Sequence, residues 1–156
     1  MGNTVKIIEQ NSEFFASGRP SLIQIHGESD QHQESLSIEN ENLNGTVSVD
    51  LNTFHTGMRF RDRHLYSKVF DVEKFPVATL KLLALPMTAT EFKGSLEFHG
   101  TQKALNGTQK FEKSGSDWIY RIEFKLNMSE FGIVAPEFLG MKMNPEVRIQ
   151  VTGKLH

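Results

Sequence analysis

The sequence predicts an all-β fold, with about eight antiparallel strands arranged as a sandwich or an up-and-down barrel. Three observations predict it. Apolar and polar residues alternate with period two through much of the chain. Turn residues interrupt these runs at intervals of about 8–14 residues. One charged segment, Gly57 to Thr79, breaks the alternation and takes helical spacing instead.

Taken in order, the strands begin with Val5 and Ile7 around Lys6, then Ile23 and Ile25 alternating with Gln24 and His26. Ser35 to Glu39 offers another short strand. Val47, Val49 and Leu51 alternate with Ser48 and Asp50, and Val77 to Leu85 is almost continuously apolar, interrupted by Lys81. Phe92, Gly94, Leu96 and Phe98 alternate with Lys93, Ser95, Glu97 and His99. Lys103-Ala104-Leu105 and Thr108 to Phe111 form a weaker pair around Asn106-Gly107. The clearest strand is Asp117 to Asn127, where Trp118, Tyr120, Ile122, Phe124 and Leu126 alternate with polar residues and only Ile119 breaks the rule. Val147, Ile149, Val151, Gly153 and Leu155 repeat the pattern at the end. Asn44-Gly45 and Asn106-Gly107 supply the positive φ angles of tight turns. His99-Gly100, Ser114-Gly115-Ser116 and Pro86 mark other reversals.

In the exceptional segment, Arg59, Arg61, Asp62, Arg63 and His64 fall within six positions. Leu65, Val69 and Phe70 follow at helical spacing, and Pro76 ends the excursion. A second irregular stretch, Ser129 to Gly140, holds Phe131, Pro136 and Phe138 and has room for one helical turn. Both excursions end in apolar residues, which places them against the mouth or interior of the β structure.

At 156 residues the chain fits one domain spanning 1–156, long enough to close a barrel around a ligand. The net charge of −2, from 17 basic and 19 acidic residues, gives no basic footprint for nucleic acid. No apolar run is long enough for an integral membrane span. The absence of cysteine excludes disulfides, cysteine-based zinc sites and thiol nucleophiles. With 12 Phe and 6 Met against 2 Tyr and 1 Trp, the interior is expected to be wide and dry.

Motifs for chemistry are sparse. The six histidines show no His-x-x-x-His spacing, although a three-histidine site could still assemble in space; the expectation is no metal and no cofactor. Asp62 and His64 could form an acid–base pair, but residues two apart on a helix do not face each other. The pairs that can meet are Arg59 with Asp62, Arg61 with His64 and Asp62 with Tyr66, which makes Arg61, Asp62 and His64 a structural network. No nucleophile elbow or phosphate-cradling loop is present. Ala78, Ala84, Gly94 and Gly153 lie within strands, where small side chains would leave space for a ligand.

The run Thr56-Gly57-Met58-x-x-Arg61-Asp62-x-His64-Leu65-x-Ser67-x-x-Phe70-Asp71-Val72-Glu73-Lys74-Phe75-Pro76-x-Ala78-Thr79 resembles the signature of the YceI-like family. Leu43 to Asp50 looks like the strand before that signature, Gly94 to Lys103 like the family's His-Gly hairpin, and Ser129 to Ile133 like its (Ser/Thr)-x-Phe-Gly segment. The resemblance implies an eight-stranded, lipocalin-like antiparallel barrel with a short helical insert. It implies binding of a polyisoprenoid or another long amphiphilic lipid, such as an isoprenoid quinone, and no metal. Members often form homodimers, and many carry a signal peptide. As the sequence stands it points to the cytoplasm; removal of a signal peptide would place it in the periplasm.

The expected function is therefore that of a carrier or sequestering protein for an isoprenoid lipid, without turnover. The expected lining is Val49, Leu80, Leu82, Phe92, Phe98, Trp118, Tyr120, Ile122, Phe124, Ile149 and Val151, with Phe60, Leu65, Phe70, Phe131, Phe138 and Met141 at the mouth and inserts. Two rivals use the same scaffold: an enzyme acting through Asp62 and His64 on a lipid-like substrate, and a solid-cored interaction or inhibitor module.

Overall fold

The computed structural model of the chain describes residues 4–16, 19–24, 27–29, 32–57, 59–134, 137–138 and 141–155, with side chains described for 36–57, 59–60, 62–134 and 145–154. Among the described residues, eleven strands form one sheet: β1 (Thr4–Ala16), β2 (Arg19–Gln24), β3 (Gly27–Ser29), β4 (His32–Glu39), β5 (Asn42–Asp50), β6 (Val77–Pro86), β7 (Glu91–Phe98), β8 (Thr101–Ser114), β9 (Asp117–Asn127), β10 (Glu137–Phe138) and β11 (Met141–Leu155). Every pairing among the described residues is antiparallel.

The strand order is β2-β1-β11-β9-β8-β7-β6-β5-β4, with β3 also on β1 and β10 on β11. The two ends of this path are neighbours in sequence. β2 and β3 pair with β1 (Asn11↔Gln24, Ile7↔Gly27), while β4 pairs with β5 (His32↔Val49). Beside the shorter β2, β3, β4 and β10, the described residues hold seven principal strands, β1, β5, β6, β7, β8, β9 and β11, where the sequence predicted eight. The result is the antiparallel, lipocalin-like barrel architecture with its short helical insert.

Alternation explains why the wall is apolar inside. In β9, Tyr120, Ile122, Phe124 and Leu126 are all buried, and the intervening Arg121 and Lys125 are exposed. Ile119, the exception to the rule, pairs with Lys154 on the opposite face from these residues.

Two expected turns are strand interiors instead. Asn44 and Gly45 lie within β5, at a register shift against β6 between Leu43 and Gly45. There Asn44 Oδ1 accepts a hydrogen bond from the Ala84 N–H at 2.7 Å, and Gly45 takes a φ of 133°, so the pair builds a bulge. Asn106 and Gly107 lie within β8, which is one continuous strand of 14 residues and not the weak pair expected around them. A Cβ at residue 107 would strike the carbonyl oxygen of Glu123, so glycine permits close approach of β8 to β9. The β4–β5 reversal falls at Asn40 and Glu41, with φ angles of 51° and 64°. The reversals expected at His99-Gly100 and around Gly115 are present, with φ of 52°, 75° and 65°.

The insert is helix α1 (Arg59–His64), continued through wider π-turns at Leu65–Phe70. Asp71 stops it with a left-handed φ of 51°. The second excursion opens with a 3₁₀ turn, Met128–Phe131, closed by Gly132 at a φ of 75°, and holds the short strand β10.

Candidate functional site: an apolar cavity beneath the helical insert

Opposed residues on neighbouring antiparallel strands share a face, and here they build a cavity wall. Val47 stands opposite Leu80 and Val49 opposite Ala78, across β5 and β6. Leu80 is opposite Leu96 across β6 and β7, and Phe124 and Leu126 are opposite Ile149 and Val147 across β9 and β11. These residues, with Phe98 and Val151, line a cavity of about 100 Å³. Leu51, Phe54, Leu65, Phe70 and Met128 complete it from outside the strands. The lining side chains are all apolar.

The insert contributes through its π-turns. The i→i+5 pattern brings residues five apart onto one face, and Leu65 and Phe70 both reach the cavity. Aromatic edges then tie the insert to the wall: Phe54 to Phe70 at 5.8 Å, Phe70 to Phe98 at 6.1 Å and Phe98 to Phe131 at 5.7 Å between ring centroids. The His99 ring lies 4.7 Å from that of Phe75. Its Nδ1 is 3.1 Å from the Phe131 carbonyl, which can only accept, so Nδ1 carries the proton. This contact fastens the 3₁₀ turn to the β7–β8 reversal.

The polar residues of the insert serve the entering loop. Asp62 is buried, and its Oδ1 accepts hydrogen bonds from the Thr56 N–H at 2.9 Å and the Thr56 hydroxyl at 2.6 Å. Thr56 thus takes the place expected of Arg59. The Tyr66 hydroxyl donates to the Phe54 carbonyl, not to Asp62 as the helical spacing suggested. Burial raises the Tyr66 pKa, and the charge of Asp62 raises it further. His64 is half-buried; burial holds its pKa below the ordinary value, with Lys68 acting in the same direction. Neither Asp62 nor His64 lines the cavity.

Of the expected lining residues, Val49, Leu80, Phe98, Phe124, Ile149, Val151, Leu65 and Phe70 lie on the cavity. Leu82, Phe92, Tyr120 and Ile122 are buried elsewhere, in a solid half of the barrel. Large rings fill that half: the spaces beside Gly94 and Gly153 are occupied by Phe92 and Tyr120, so these glycines leave no room for a ligand. Ala84 is exposed, and of the four small residues only Ala78 borders the cavity. Trp118 is partly buried beneath Lys113, whose Nζ is 5.9 Å from the ring centroid. Phe131 is buried behind Phe98, and Phe60 is 59% exposed. The side chains of Phe138, Met141 and Arg61 lie outside those described.

Seven lining residues were not anticipated, Val47, Leu51, Phe54, Leu96, Leu126, Met128 and Val147, while Ala78 was expected as one of the small residues that leave space. Val47, Leu96, Leu126 and Val147 sit two positions from an expected neighbour, so alternation alone would have found them. Leu51 ends the Val47-Val49 alternation and is reached by it as well, although it opens a 3₁₀ turn; Phe54 and Met128 lie in irregular segments, where period two assigns no face.

Comparisons with known proteins agree with this architecture. A profile of the family described as YceI-like domain matches residues 6–155. Burkholderia cenocepacia BcnA superposes with a TM-score of 0.76 at 13% identity, covering 99% of this chain and 96% of its own. A polyisoprenoid binding domain from Saccharophagus degradans gives 0.62 at 12% identity, with 96% of each chain covered. A Campylobacter jejuni YCEI protein gives 0.66 at 15% identity, with 91% of each covered. No curated protein matched the sequence. Since the family profile spans nearly the whole length, the chain belongs to the YceI-like domain family.

Proposed function

We propose that the protein carries or sequesters a long isoprenoid lipid, of polyprenyl or isoprenoid-quinone type, in the cavity beneath the insert. The observation that carries this reading is the wholly apolar lining. Such a cavity gives water no hydrogen-bond partners and stays dry, while each buried CH₂ contributes about 0.8 kcal/mol to binding an aliphatic chain. Ordering the chain and associating it offset much of that gain, so a long repetitive ligand is favoured over a short one. The polyisoprenoid binding of the Saccharophagus degradans domain supports the same class.

Size sets the manner of entry. By a measure in which about 10–15 Å³ admits one water, the 100 Å³ present receives the first isoprene units as it stands. A longer chain enters by displacing Leu65 and Phe70, which belong to the insert and not to the sheet. The position of Asp62 and His64 away from the lining supports a binding role over acid–base chemistry on a bound lipid.

Solvent extraction of freshly purified protein, followed by mass spectrometry, tests the proposal. The expected result is a polyprenyl or quinone species at near-stoichiometric amount. A preparation free of lipid that also takes up no added polyprenol or quinone would falsify it.

A further inference from the structure

The outer face of the insert carries a pattern that the cavity does not use. Between Arg59 and Phe70 the sequence sets Arg59, Arg61, Arg63 and Lys68 against one carboxylate, Asp62. That carboxylate is buried and engaged by Thr56. Arg59, Arg63 and Lys68 are exposed, and none makes an ion pair with a described residue. Phe60 stands among them, 59% exposed. The turn that follows adds Asp71, Glu73 and Lys74. On the inner side of the same segment, Leu65 and Phe70 border the cavity and Val69 is buried. The chain as a whole has a net charge of −2, so this positive face is local and directional.

An exposed aromatic ring flanked by unpaired cations is the complement of an anionic bilayer surface: the ring enters the boundary between headgroups and acyl chains, and the cations meet lipid phosphates. No described helix is long and apolar enough to cross a membrane; a short segment with a cationic, aromatic outer face suits the interface. We propose that the outer face of α1, through Arg59, Phe60 and Arg63, docks the protein on anionic lipid bilayers. Docking there presses the segment that covers the cavity against the phase in which a water-insoluble cargo resides. This inference rests on the isoprenoid-binding reading for its purpose, but its evidence is the charge and exposure of the insert.

The test is co-sedimentation of the whole chain with vesicles of phosphatidylcholine alone and of phosphatidylcholine mixed with phosphatidylglycerol, at low and high salt. Binding is expected only to the mixed vesicles, and it weakens as salt rises. Each basic side chain near such a surface contributes about fivefold in affinity, so the double variant Arg59→Glu/Arg63→Glu should lose at least about tenfold. Phe60→Ser should weaken binding several-fold, while Lys93→Glu, on the exposed side of β7, leaves it unchanged. Equal binding to both vesicle types would overturn the proposal. So would indifference to the α1 substitutions, or a change of oligomeric state in their place. Protein that carries isoprenoid but ignores anionic vesicles sinks docking alone; protein that docks through α1 but never takes up isoprenoid supports docking and sinks the cargo reading.

Discussion

Asp62 holds Thr56 at two points, its Oδ1 accepting from the backbone N–H at 2.9 Å and from the hydroxyl at 2.6 Å. The carboxylate is buried and Thr56 half-buried, so replacing it removes the acceptor of two hydrogen bonds in a partly desolvated place. Asp62→Ala should cost about 1–3 kcal/mol. Asp62→Asn retains an acceptor oxygen and should cost less. Chemical denaturation of the three proteins checks the order, and equal losses in both variants would show that charge, not acceptance, holds the loop.

His64 should make the fold sensitive to mild acid. Burial, then Lys68, lowers its pKa in the folded protein, so the unfolded chain takes up the proton first as pH falls. Stability from this residue is complete above the unfolded histidine pKa of about 6.5 and is lost as pH falls from there through the lower folded value. Thermal melts from neutral to mildly acidic pH should show a falling midpoint, and His64→Gln should flatten that slope. A slope unchanged in the variant would assign the acid sensitivity elsewhere.

The strands, the insert and its end were legible because each rests on a local pattern. The alternation from Trp118 to Leu126 and the spacing of Leu65, Val69 and Phe70 need no knowledge of distant residues. The division of the barrel into a hollow and a solid half was not legible. Tyr120 and Phe124 have the same parity in β9, yet Tyr120 fills the space beside Gly153 while Phe124 borders the cavity. That difference depends on what stands across the sheet. The roles of Asn44-Gly45 and Asn106-Gly107 were hidden for a similar reason. Asparagine-glycine suits a two-residue turn, but it also suits a bulge or a close strand approach, and only register separates them.

Gly107 gives a test of that last distinction. A methyl group there meets the backbone carbonyl of Glu123, which cannot retreat without opening the β8–β9 ladder at Gly107↔Phe124. Gly107→Ala should therefore destabilise by at least the roughly 1–3 kcal/mol typical of overpacking. Gly115→Ala is the contrast: it meets nothing within 4 Å, and its cost comes from a positive φ of 65° alone. Denaturation midpoints should place Gly107→Ala well below Gly115→Ala, and the reverse order would mean that β8 moves away from β9 freely.

Ala78 and Phe92 separate ligand space from core. Ala78 faces the cavity opposite Val49, so Ala78→Leu places its added carbons in space that a ligand chain would use. Stability should change by less than about 1–3 kcal/mol, because the added volume enters a void and not a packed core. Phe92 is fully buried in the solid half, 6.2 Å from the Phe124 ring, and Phe92→Ala should cost about 3–5 kcal/mol. Lipid extracted per mole of folded protein should fall sharply in Ala78→Leu and stay near the parent level in the folded fraction of Phe92→Ala. If Ala78→Leu retains its full lipid complement, the ligand does not occupy the space beside β5 and β6.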